Sequence, residues 1–233
     1  MSLALLEKLP HEDDRKEATR QILKSDIYSL TRFLGYDLVC PNVHSEIIHC
    51  LQSNKKRKIL AVPRGTFKST IGAITYPIYK LLNNVNERIL IDSELYSNSV
   101  TYLRAIKNHL MDERMINLFG EFYTPTVWRE DAILIKQRSA NYKEPSISCG
   151  GIGTTKVGQH YSTIIGDDYN SPDNTASHER AKKVIDHYRY NLNILEPDGE
   201  YVIIGTRYSE NDLIGWVLRE ILNEPGLAEG KFA

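Results

Sequence analysis

The sequence predicts an α/β protein with a mostly parallel central sheet flanked by helices on both faces. Three observations lead to it. Short apolar strands alternate with longer segments of helical periodicity, the pattern of βα units. The chain has 233 residues, 41% hydrophobic and 25% charged, enough for one sizeable α/β domain with its own core. Three apolar runs end in polar, loop-like residues, "AVPRGTFKST", "IIGDDYN" and "IIGTRY", and sheets of this class bind ligands at the carboxyl ends of their strands.

Residues 1–24 form a charged arm or helix, most charged over residues 8–21. From Ser25 the pattern changes. "SDIYSLTRFLGYD" offers Ser25 as a cap and then Ile27, Leu30, Phe33 and Leu34 at helical spacing. "HSEIIHCLQ" is a second helix. "RKILAVP" is a short strand that stops at Pro63. A helix follows from about Lys68, with Ile71, Ile74, Ile78 and Leu82 on one side. Pro77 should kink or end it, because proline lacks the backbone donor and crowds the preceding turn. "ERILIDS" is a strand, followed by a helix carrying Val100, Leu103, Ile106 and Leu110. "DAILIKQ" and "YSTIIGD" are further strands. "SHERAKKVIDHYRYNLNIL" is a long helix with Val184, Ile185, Tyr188, Leu192 and Leu195 inward. "EPDGE" is a turn by composition, and "YVIIGT" a buried strand. "SENDLIGWVLREIL" is the last helix, capped by Ser209 with Asp212 three residues on, its buried stripe being Leu213, Val217 and Ile221. The domain therefore runs from 25 to 225, with 226–233 a tail or the start of a linker.

Bulk charge is near neutral, −1, so any DNA contact must come from local patches. The basic run "NKKRK" at 54–58 is such a patch, although a solvated run is its default state. Cys40, Cys50 and Cys149 are far apart and form no CxxC pair, which fits a reducing cytoplasm. No apolar run approaches the ~20 residues of a membrane helix, and the acidic start is unlike a signal peptide. "CGGIGTT" lacks the third glycine of a dinucleotide fingerprint and predicts a flexible loop near the site. His44 and His49 flank Glu46 without forming HExxH.

The chemistry gathers at the strand ends. A phosphate cradle needs converging backbone N–H groups at a helix N-terminus, a lysine for the outer phosphates and a hydroxyl for magnesium. In the loop Pro63, Arg64, Gly65, Thr66, Phe67, Lys68, Ser69, Thr70 the lysine and hydroxyl are in place. Val62 and Phe67 stand where the two glycines of GxxxxGK[ST] would be. After the next β-branched run, Asp167 is placed to hold Mg²⁺ and Asp168 to polarise the attacking water, where many such enzymes carry Glu. Thr206 and Arg207, at a third strand end, are candidates for sensing the γ-phosphate.

Taken in order, these elements resemble the ATPase half of a tailed-bacteriophage terminase large subunit, the motor that packages DNA. "VPRGTFKST" is similar to the deviant Walker A loop of that family, "TIIGDD" to its Walker B strand, and "VIIGTRYSENDLIG" to its coupling motif. "YDLVCPNVHSEII" resembles the region where the family places a helix near the adenine. The likeness spans about residues 25–220. It implies an ASCE-type P-loop NTPase fold, in which the coupling strand lies between the P-loop and Walker B strands. It implies ATP and Mg²⁺ as cofactors, with Lys68, Arg64 and Asp168 catalytic and Ser69 and Asp167 on the metal. Its partners would be double-stranded DNA, a portal protein, a small terminase subunit and copies of itself in a ring, with a monomer in isolation and no membrane. Its place would be the cytoplasm of the infected bacterial host, at the procapsid portal vertex. Arg129, Arg138 and Arg207 are candidates for the finger that a ring neighbour supplies. Larger members carry a nuclease domain for which this chain has no room, so no DNA cleavage is expected. Three alternatives stand beside this. A helicase-type translocase would need a second motor-like domain. A metal-dependent nuclease built on Asp167 and Asp168 would need further acids such as Asp92 and Glu94. The third is a catalytically dead nucleotide-binding or scaffold protein.

Overall fold

The computed structural model describes residues 11–223, with side chains to residue 220. The apolar runs become six strands: β1 (Arg57–Ala61), β2 (Ile89–Ser93), β3 (Ala132–Ile133), β4 (Ile147–Cys149), β5 (Tyr161–Asp167) and β6 (Leu195–Gly205). They form one sheet in the order β1-β6-β5-β2-β4-β3, parallel except for the short β3–β4 pair at the edge. The fold is thus α/β with a mostly parallel sheet, as the alternation of elements predicts.

Nine α-helices accompany the sheet among the described residues: α1 (Glu12–Ser25), α2 (Ile27–Phe33), α3 (Pro41–Gln52), α4 (Tyr76–Asn83), α5 (Tyr96–Leu110), α6 (Glu113–Phe119), α7 (Pro172–Thr175), α8 (His178–Asn193) and α9 (Leu213–Asn223). Strand side chains alternate between faces, and the burial follows. Ile89, Ile91, Ile165, Val202 and Ile204 enter one core beneath α1 to α6. Leu90, Ile164, Tyr201 and Ile203 enter another beneath α8 and α9. Each fully buried aliphatic side chain contributes roughly 1.5–3 kcal/mol. None of the described helices is long and apolar enough to cross a membrane.

Several local expectations change. Of the two expectations for the N-terminal segment, arm or helix, the helix holds over Glu12–Ser25, but it is not solvated all round: Leu23 is fully buried in the first core with Ile27 and Leu30, so a boundary at residue 24/25 cuts through packed structure. The helical charges there occupy the solvent side and mask one apolar contact line. Ser25 ends α1, and Asp26 is the cap of α2, accepting from the N–H groups of Tyr28 and Ser29. Asp212, not Ser209, caps α9: its carboxylate accepts from the N–H of Gly215 at 2.8 Å. Ionised Asp accepts more strongly than a hydroxyl and suits the positive end of the helix. The segment before Pro77 widens into a π-helical turn, Thr70–Thr75, and α4 continues with Pro77 in its first turn. The wider turn makes room for the ring, so the proline neither ends nor breaks the helix. "EPDGE" bulges within β6, shifting its register against β5 between Tyr161 and Thr163. "DAILIKQ" yields two strand residues, and β4, α6 and α7 are elements without a separate sequence signal. Leu195 is buried but belongs to β6, and Ile221, like the tail 226–233, lies outside the described side chains.

If α1 belongs to the core, Leu23→Ala should lower the unfolding free energy by about 2–5 kcal/mol, the range for a buried Leu. Urea unfolding followed by circular dichroism measures it. A loss under about 0.5 kcal/mol, typical of surface positions, would return α1 to the status of an arm.

Candidate functional site

β1 runs into the loop 62–69, and the strand order places β6 directly beside β1 and β5 beside β6. The carboxyl ends of all three therefore adjoin. The loop is tied to β6 at its root, where Val62 N–H donates to Gly205 O at 3.1 Å and Thr206 Oγ1 to Val62 O at 3.2 Å. Gly65 has φ of +80° and Phe67 of +53°. Two left-handed residues so close together curl the chain, and such curls turn successive N–H groups toward an anion. The N–H groups of Gly65, Thr66 and Phe67 have no acceptor among the described residues. Position 67 is where a glycine was expected, and left-handed backbone is the reason a glycine suits it. The phenyl ring offsets the strain of order 1–2 kcal/mol by packing on the first core and edge-on to His44, centroids 5.9 Å apart.

The loop brings Lys68 and Ser69 onto the acid pair. Lys68 Nζ lies 3.6 Å from Asp168 Oδ1, and Ser69 Oγ donates to Asp167 Oδ1 at 3.0 Å. Lys68 is buried, Asp167 is wholly buried, and the Asp168 side chain is 40% exposed. Asp168 itself has φ of +45°, a conformation that aspartate tolerates better than most residues. Its N–H donates to Ile204 O at 2.8 Å, which pins the turn to β6. The next residue, Tyr169, folds its ring back over Gly166, where a Cβ would collide with it.

Burial pushes the Asp167 carboxyl up to about 6, and Asp168 nearby adds repulsion; donors from Tyr102 and Ser69 and the charge of Lys68 pull the other way. Tyr102, from α5, donates to Asp167 Oδ2 at 2.5 Å. Sequence reasoning missed it, since it sits one position away from the buried stripe of its helix and carries no motif. Tyr208 was missed too. Its hydroxyl accepts from Arg64 Nη2 at 2.5 Å, and the guanidinium lies 5.7 Å from its ring centroid. Arg64 is exposed on the loop and turned toward β6's outgoing chain. Pro63 is exposed, its carbonyl accepting from Thr66 Oγ1 at 2.8 Å, and Thr70 begins the π-helical turn.

The remaining candidates separate. Arg207 is exposed just beyond β6. Arg129 is exposed and pairs with Asp131 at 3.6 Å, in the hairpin before β3. Arg138 is spent inside the chain. It donates to Glu144 O at 2.5 Å and Glu87 O at 2.7 Å, at the amino ends of β4 and β2, away from the acid pair. Asp92 lies on the opposite sheet face from Asp167. There it accepts from Tyr169 OH at 2.8 Å and Asn191 Nδ2 at 2.6 Å, with His187 Nε2 also at 2.6 Å. Glu94 accepts from Ser171 and Asn174. Among the described residues no group of three or more His, Cys, Asp or Glu could hold a metal ion.

A cleft of about 400 Å³ adjoins the loop, between α3 and β1. Val43, Ile47, Cys50, Val62 and Pro63 supply its apolar wall, and Glu46 and Thr66 its polar groups. The segment 149–158 does not contribute to the loop–acid cluster. It crosses to α8, where Lys156 N–H donates to Tyr190 OH at 2.9 Å.

The chain matches no protein-family model and no curated protein.

Asp167 has a testable signature. Its folded value lies above the ordinary 3.8 of the unfolded chain, so the folded state holds the proton more tightly. Its contribution to stability is present below about pH 4 and is lost as pH rises through about 6. Asp167→Asn removes that loss. Near neutral pH and above, it should stabilise the metal-free protein by on the order of 1–3 kcal/mol, with the gap closing in acid. Urea unfolding across the pH range checks both.

Proposed function

We propose that this chain is a P-loop ATPase, the motor domain of a terminase-like DNA-packaging machine. The single observation that carries the nucleotide part is the convergence of Lys68, Ser69, Asp167 and Asp168 at the ends of adjacent strands. The strand order supports it further: β6, which carries Gly-Thr-Arg, lies between β1 and β5, as an ASCE-type sheet requires. The curled loop with unpartnered N–H groups at the start of a helical segment suits phosphate.

The donor set fits Mg²⁺. Ser69 and Asp167 are hard oxygen donors already in contact, and magnesium is commonly held by one or two protein oxygens plus phosphate and water. When bound, the ion neutralises charge on the β- and γ-phosphates. Lys68 would pair the outer phosphates, the loop N–H groups would orient them, and Asp168, the exposed acid of the pair, would accept the proton side of the attacking water. The apolar cleft beside α3 would take the base, and Arg64 the phosphates after leaving Tyr208. Thr206 ties the coupling segment to the root of the loop, a direct route by which a change at the phosphates reaches β6 and α9.

The terminase part rests on the sequence likeness. From it come the DNA substrate, the portal and small-subunit partners and the ring. For the finger, the geometry favours exposed Arg129 or Arg207 over Arg138, whose guanidinium is occupied. A metal-dependent nuclease would need a third acid beside Asp167 and Asp168. Asp92 faces the other way, and Glu94 is engaged with the start of α7.

Phosphate release from Mg-ATP should fall at least about 100-fold in Lys68→Ala, the scale for removing an electrostatic stabiliser of the transition state. Asp168→Asn should lose turnover yet keep nucleotide affinity. Plasmid nicking with Mn²⁺ should be absent from all three proteins. Nicking without ATP consumption would replace the ATPase by a nuclease.

A further inference from the structure

Resting on the nucleotide site proposed above, we propose that Tyr102 is a positioning residue for its divalent cation: the phenol holds the Asp167 carboxylate in the orientation that receives the ion. The two oxygens of Asp167 are treated differently. Oδ1 accepts from Ser69, which shares the proposed metal position, and Oδ2 accepts from Tyr102 at 2.5 Å. The second contact has the short length of a charge-assisted O–H···O⁻ bond. It comes from α5, an element otherwise outside the loop and acid pair, so the carboxylate is gripped from two sides of the cluster.

A buried carboxylate at the end of a strand would otherwise be free to rotate about its χ2, which is broad for aspartate. Ser69 cannot restrain it alone, because the same hydroxyl is wanted by the ion. Tyr102 keeps its grip whether or not Ser69 turns away. Its ring packs against the first core, so the hydroxyl is delivered from a fixed direction. Burial first, and then the Asp167 charge, push the phenol above its ordinary range, which keeps it a donor. Partners that orient a metal ligand in this way commonly change metal affinity 10- to 100-fold when removed.

The test is calorimetric titration of ADP into wild type and Tyr102→Phe at alkaline pH, first with chelator and then at stepped Mg²⁺ concentrations. Melting temperatures are measured alongside. Phenylalanine keeps the packed ring and deletes the donor. The expected result is an unchanged metal-free ADP affinity, a melting temperature lowered by loss of a donor to a buried carboxylate, and the Mg²⁺ concentration for half-maximal enhancement raised about tenfold. An unchanged Mg²⁺ midpoint would overturn the role of Tyr102. So would a parallel loss of metal-free and Mg²⁺-bound affinity, since that marks a merely structural residue. If wild type binds ADP with no Mg²⁺ effect at all, the nucleotide site itself falls and the role of Tyr102 with it.

Discussion

The rest of the structure depends on one constraint: a carboxylate with no solvent exposure, Asp167, must be held at the carboxyl end of a central strand. Burying a charge without partners is costly enough to drive protonation instead. The chain meets the cost with a hydroxyl from the β1 loop, a phenol from α5 and a nearby ammonium. Two of these groups come from the one loop and the third from α5, so satisfying this one carboxylate fixes the placement of loop and helix against the strand. The residual upward displacement of its pKa, to about 6, shows that the compensation is incomplete. The cation proposed for this site would supply the missing positive charge.

The opposite face of the sheet supports the same corner. Asp92 gathers Tyr169, His187 and Asn191 into a buried hydrogen-bonded group. Tyr169 is the residue after Asp168, and its ring fits over Gly166 because that position has no side chain. The turn that holds Asp168 in a left-handed conformation is therefore anchored from behind the sheet, while Lys68 faces it from in front. Asn170 adds a link to α9, its Oδ1 accepting from the N–H of Leu213 at 3.2 Å. Asp92, which a nuclease alternative would need beside Asp167 and Asp168, is committed to the other face of the sheet.

Much of this was legible in the sequence, for physical reasons. Strands buried on both faces are largely apolar, so β2, β5 and the second half of β6 announce themselves, and the partly buried edge strand β1 does so by its short apolar run. Asp167 and Asp168 were found because the pair directly follows such a run, and Lys68 with Ser69 because they fill the end of a loop pattern that follows one. Short elements were less legible: "DAILIKQ" announced β3 but yields only two strand residues, and the three-residue β4 carried no separate signal, both being shaped by tertiary contacts. The helical charges of α1 hid the burial of Leu23. Tyr102 was beyond reach because its partner is 65 positions away and a tyrosine near a helical stripe is usually a packing residue. Arg138 looked like any other arginine until its two carbonyl partners fixed it at the far end of the sheet.

The most direct test of the central claim is a crystal structure with Mg²⁺ and a non-hydrolysable ATP analogue. The account requires the β- and γ-phosphates on the N–H groups of 65–69 and on Lys68, with the ion beside Ser69 and Asp167. Analogue bound at another cleft, or an ion held by acids on the Asp92 face, would contradict it.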